Sequence, residues 1–146
     1  MSKAIITATP ATSELDGRTV PILPNWVLSG SPVTRSKNIL RSRDWTSSII
    51  IWECTAGTFN WHYVQDEVVI VVAGEVFITN EKGEERHLRP GDLAFFPAGT
   101  SSTWRVPICV RKIAILKETM WRPLGFGIKL WKKLLRMSRL AGEAPL

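Results

Sequence analysis

Two histidines and thirteen carboxylates are the chain's stock of acid–base groups and strong oxygen or nitrogen metal ligands. One histidine, His62, stands five residues before Glu67 in the run GTFNWHYVQDEVVIVVAG, Gly57 to Gly74. Such a pair supports two chemistries. The two side chains can share a divalent metal, or the carboxylate can orient the imidazole as a general base. A catalytic metal usually takes three or more strong protein ligands plus water. His62 and Glu67 alone are an incomplete set, so no resident cofactor is expected, with a divalent metal on that pair as the alternative. If the chain is an enzyme, His62 and Glu67 are its expected catalytic residues.

Other candidates carry less. His87 lies in the charged run ERHLR and reads as an exposed histidine. The two cysteines, Cys54 and Cys109, are too few for a disulfide framework and are expected to pack as small apolar residues.

These residues need strands to place them. From Ser48 the chain breaks into short runs rich in Val, Ile, Phe, Trp and Thr. They are separated by turn signals such as Ala56-Gly57, Glu81-Lys82-Gly83, Pro90-Gly91-Asp92 and Pro97-Ala98-Gly99. Regular short strands of this kind predict a sandwich or barrel. EVFITN-EKG-EERHLR predicts a hairpin, with Gly83 supplying the positive φ of its turn. Residues 1–27 read as an arm, with one edge strand near Thr19–Leu23, residues 28–117 as the barrel and residues 118–146 as a tail. The tail changes period. Between Gly127 and Leu140, Ile128, Leu130, Trp131, Leu134, Leu135 and Met137 fall on one side of a helix, opposite Lys129, Lys132, Lys133, Arg136 and Arg139. Pro123, Gly125 and Gly127 read as its separation from the barrel and Gly142 as its end.

The glycine, histidine and carboxylate spacing, followed by Gly91, Pro97 and Gly99, resembles the two motifs of the cupins, G-x5-H-x-H-x(3,4)-E-x6-G and G-x5-P-x-G-x2-H-x3-N. In that alignment Asn60 takes the first histidine position and His62 the second, while Ser102 and Val106 replace the histidine and asparagine of the second motif. The sequence is most similar to small cupins related to ureidoglycine aminohydrolase and to the ethanolamine-utilisation cupin. The likeness rests on Trp52-Glu53-Cys54-Thr55, Phe59 to Tyr63, Gly91 to Trp104 and Val110-Arg111-Lys112. The resemblance implies an all-β fold, a cupin (RmlC-like) jelly-roll β-barrel, here with a C-terminal amphipathic α-helix. Alternate residues of a strand share a face. The resemblance therefore turns Asn60 and His62 inward and Trp61 and Tyr63 outward. It gathers Asn60, His62, Glu67, Ser102, Trp104 and, from the VRK strand, Lys112 as a ligand-binding set in the barrel mouth. The expected function is binding of a small polar metabolite, with no assigned reaction. The competing expectation is a small-molecule enzyme centred on His62 and Glu67, either metal-dependent and aminohydrolase-like or a metal-free acid–base catalyst.

Charge narrows the partners. The net charge is +6, but residues 1–116 hold 12 Lys+Arg against 11 Asp+Glu, and residues 117–146 hold 7 against 2. A nearly neutral barrel without a basic stripe argues against nucleic acid. The basic amphipathic tail is expected to dock on a sheet or a partner, with a membrane surface as the alternative occupant of Gly127–Leu140. A homodimer is expected, because edge strands need cover and because dimers are common among the cupins it resembles. The first residues have no apolar signal core, so the expected compartment is the cytoplasm.

Overall fold

A computed structural model of the chain describes residues 10–15, 19–120 and 122–141, with side chains to Met137 in the last segment. Residues 1–9 of the arm and the helix end expected at Gly142 lie outside the described residues.

Eight antiparallel strands build the barrel: β1 (Val27–Gly30), β2 (Thr34–Arg41), β3 (Ser47–His62), β4 (Asp66–Gly74), β5 (Val76–Asn80), β6 (Glu85–Leu88), β7 (Leu93–Phe96) and β8 (Ser101–Lys117). The long strands β3 and β8 pair along their whole length, from Ser47↔Lys117 to His62↔Ser101. Their register slips once, between Thr55/Gly57 on β3 and Val106/Cys109 on β8. Such an irregularity bends a strand and lets it pass between two packed layers. One layer joins β2, the first half of β3, the second half of β8, β4 and β7. The other joins β1, the second half of β3, the first half of β8, β5 and β6. This is the all-β jelly roll implied by the resemblance.

Two glycines make the corners possible. A Cβ on Gly57 would come within 2.8 Å of the Pro32 ring. Gly74 has φ +69°, and a Cβ there would strike the Cys109 carbonyl. The core between the layers is aromatic and branched: Trp52, Phe59, Val69, Val71, Val76, Ile78, Trp104, Val106 and Val110 are buried. The β5–β6 hairpin forms as expected, with Gly83 at φ +81°.

The structure departs from the expectations at both ends. The edge strand near Thr19–Leu23 is reduced to one bridge, Thr19↔Arg35. Val20 and Thr34 hold it: the Val20 N–H donates to the Thr34 carbonyl at 3.2 Å, and the Thr34 hydroxyl donates to the Val20 carbonyl. Arg111 clasps the arm from the barrel's outer face, donating to Ala11 O, Ser13 O and the Glu53 carboxylate. The C-terminal helix α1 spans Arg122–Ala141, starting earlier than the expected Gly127. Pro123 falls in the first turn, where its missing N–H leaves no helical bond unmade, so it opens the helix instead of separating it. The apolar side of α1 is not laid on the barrel: Leu124, Phe126, Leu130, Trp131, Leu134 and Met137 are exposed. No helix among the described residues is long and apolar enough to cross a membrane.

Candidate functional site

The inner face of β3 is the reverse of the one expected. Phe59 and Tyr63 are buried and Trp61 half-buried, whereas His62 is exposed. Asn60 and His62 therefore face outward. Asn60 Oδ1 accepts from the Thr103 hydroxyl at 2.8 Å. His62 Nδ1 lies 2.5 Å from Ser101 Oγ, with the Trp26 ring 4.8 Å away. His62 thus stands at the rim, bound to Ser101 and Trp26 and not to Glu67. The physical reason is strand alternation, since a shift of one residue exchanges the two faces. The cupin spacing allows three or four residues before the carboxylate. His62 takes four and Tyr63 takes three, and the structure places Tyr63 inside.

Four of the expected residues do meet in the interior: Glu67, Ser102, Trp104 and Lys112 are all buried. Glu67 enters from β4, and Lys112 from β8 opposite Val71 of β4 and Trp52 of β3. Lys112 Nζ is 2.6 Å from Glu67 Oε1. The ammonium also lies 4.7 Å from the Trp52 ring centre and 4.4 Å from that of Trp104. A buried ammonium is costly unless paired, and here one carboxylate and two indole faces compensate it.

A neutral network adjoins this pair. The Trp104 indole N–H donates to the Tyr63 hydroxyl at 2.8 Å and to Ser102 Oγ at 3.1 Å, and Tyr63 and Ser102 share a bond of 2.7 Å. Tyr63 stacks on Phe96 at 4.5 Å. Burial pushes the Tyr63 phenol above its ordinary range, outweighing the bonds from Ser102 and Trp104. The phenol is thereby kept as a neutral hydroxyl. Burial also pushes the Cys54 thiol up to about 12, against the opposing influence of Lys112. Among the described residues no buried side-chain nitrogen or oxygen lacks a partner.

Glu67, Lys112, Tyr63, Trp52 and Trp61 line a cavity of about 120 Å³ together with His62, Val64 and Gln65. A larger groove of about 550 Å³ runs between the β5–β6 hairpin and β7. It holds none of the expected site residues, and its charged walls, Glu81, Lys82, Glu84 and Arg86, are exposed hairpin positions. Size favours the groove, but convergent buried polar groups favour the smaller cavity, and those decide a site.

The donor set is poor for a divalent cation. Among the described residues no three His, Cys, Asp or Glu side chains are gathered. In the interior Glu67 already carries an ammonium, and the neighbouring positions hold Trp61, a protonated Tyr63 and Ser102.

Sequence reasoning missed Tyr63, Trp52 and Trp61 as site walls. The signal for Tyr63 was present. Thr58-Phe59-Asn60-Trp61-His62-Tyr63 alternates polar and apolar, and the apolar set marks the buried face. Outside the site, His87 is half-buried instead of exposed. It bonds Glu75 at 2.6 Å and stacks on Phe77 at 4.1 Å. Cys109 is exposed, not packed, while Cys54 is buried.

Comparison with known proteins places this architecture. No curated protein matches the chain. A Pseudomonas syringae pv. tomato protein of unknown function from the DUF861 family superposes with a TM-score of 0.70 at 25% identity, over 79% of this chain and 49% of that one. The chain thus spans about half the length of that relative. The Clostridium difficile EutQ protein aligns with a TM-score of 0.54 at 23% identity, over 70% of this chain and 83% of its own. A putative ethanolamine utilization protein Q of Salmonella typhimurium gives 0.56 at 19% identity, over 79% and 93%. None of these three is described as an aminohydrolase. The family model for the EutQ-like cupin domain matches residues 41–114, just over half of the 146 residues. The chain belongs to the EutQ-like cupin domain family.

Proposed function

We propose that the chain binds a small, polar, net-neutral metabolite in the barrel mouth without a metal. The observation that carries this reading is the Glu67–Lys112 pair, 2.6 Å apart and lining the cavity. The pair is electrically balanced. A ligand of unit charge would leave an uncompensated charge in a buried site, whereas a neutral one with an acceptor for Lys112 and a donor for Glu67 leaves the balance intact. The indole faces of Trp52 and Trp104 bracket the ammonium, so a flat polar group fits better than a bulky one. A cavity of about 120 Å³ has room for roughly four waters, or for a ligand of a few heavy atoms. The test is an NMR titration that follows the tryptophan indole resonances. Small primary amides and amino-acid zwitterions should shift them, while simple carboxylates and amines should not. Shifts produced only by charged compounds contradict the reading.

One observation favours a second reading, an enzyme. Glu67, Lys112 and Tyr63 line the same cavity, which gives a carboxylate base, an ammonium and a neutral phenol acid within one site. In that case Glu67→Gln would abolish turnover and keep ligand binding. His62 lines the same cavity but bonds Ser101 through Nδ1, with no bond to Glu67, so the base proposed here is Glu67.

A further inference from the structure

We propose that α1 docks on the surface of an anionic lipid bilayer and turns the mouth end of the barrel toward it. This inference stands independently of what the mouth binds. Between Arg122 and Met137 there are five Lys/Arg and no Asp or Glu. At 3.6 residues per turn, Arg122, Lys129, Lys132, Lys133 and Arg136 fall within an arc of roughly 100°, and the apolar residues cover roughly 200°. Trp131 and Phe126, 63% and 69% exposed, lie on the apolar side. A helix packed on one protein face typically buries a stripe of about 100° or somewhat more, and this arc is about twice that width. A bilayer interface accepts half or more of a helix circumference, and its anionic headgroups neutralise the cationic arc. A second copy offers no acidic residue on α1 to meet these cations.

The barrel supplies a second contact at the end from which α1 leaves. There Lys117 of β8 pairs with Ser47 and Asp66, and the Glu118 N–H donates to Thr46 O at 2.7 Å. Trp45, in the β2–β3 turn beside Thr46, is 72% exposed. Its φ of +62° lies in the left-handed region that bulky side chains avoid. Val64, 85% exposed, lies at the rim of the cavity on the same end. Arg41 reaches over the Trp45 ring at 5.1 Å, so a cation stands beside this indole and offsets the Asp44 carboxylate of the same turn.

The test is co-sedimentation of the full chain with phosphatidylcholine vesicles, with and without about one-third phosphatidylserine. The chain should partition to the anionic vesicles, leave neutral ones empty, and be released as salt rises to about 0.5 M. Trp131→Glu should lower partition about tenfold or more with the barrel's melting unchanged. Lys132→Gln with Lys133→Gln should weaken anionic binding while keeping the apolar face. Trp45→Gly should lower partition several-fold; unchanged partition there overturns the orientation of the mouth. Equal partition to both vesicles, or none to either, overturns the proposal. So does a dimer in sedimentation that Trp131→Glu dissolves while the vesicles bind nothing.

Discussion

At the scale of residues, Lys112 and Glu67 define the interior, and each depends on the other. Removing one partner of a buried ion pair leaves an uncompensated charge and costs about 3–5 kcal/mol, whereas replacing both by apolar groups is often neutral. Lys112→Met should therefore destabilise the barrel by about 3–5 kcal/mol in urea unfolding, and adding Glu67→Met should recover most of that loss. Equal losses for the single and double variants would show that the pair is not coupled. Cys54 yields a pH prediction. Its folded thiol titrates near 12 against an ordinary value of 9.0 because burial disfavours the thiolate. A raised folded value contributes stability in full below the unfolded value, and that contribution is lost as pH rises through the folded one. Thermal stability should fall from about pH 9 upward, and Cys54→Ala should flatten that fall. The legibility of these residues was uneven. Lys112, Ser102, Trp104 and Glu67 could be placed inside from their motifs. Histidine is the commonest metal ligand, which favours His62 as the inward residue, whereas the polar–apolar alternation of the strand puts Tyr63 inside.

At the scale of elements, the bend in β3 and β8 positions the site. It folds each long strand into both layers, so Trp52 and Trp104, from different halves, meet around one ammonium. Gly74 closes the same corner, and its carbonyl neighbour leaves no room for a side chain. Gly74→Ala should cost more than about 2 kcal/mol in chemical denaturation, from the positive φ and the clash together. A loss within experimental error would mean the corner relaxes freely. The strands and the β5–β6 hairpin were legible because turn residues punctuate them. The bend was not, since Ala56-Gly57 and Pro107-Ile108 read locally as a turn and a strand. The start of α1 was misplaced because Pro123, Gly125 and Gly127 oppose helix in isolation, yet a proline in the first turn and isolated glycines are tolerated.

At the scale of the molecule, a neutral barrel carries a cationic helix whose apolar arc stays outside its core. Motif spacing conveyed the fold because glycine and proline corners are set by backbone sterics, which few residues satisfy. It conveyed the chemistry poorly because interior side chains can change while the corners stay. We propose that the mouth holds a net-neutral metabolite on Glu67 and Lys112 with no metal between them. The most direct measurement is calorimetric titration of the full chain, dialysed against chelator, with the neutral compounds that shift its indole resonances. One ligand should bind per chain, lost in Lys112→Gln and indifferent to added divalent cations. No heat from the chelated protein, with binding restored by a divalent metal, would contradict it.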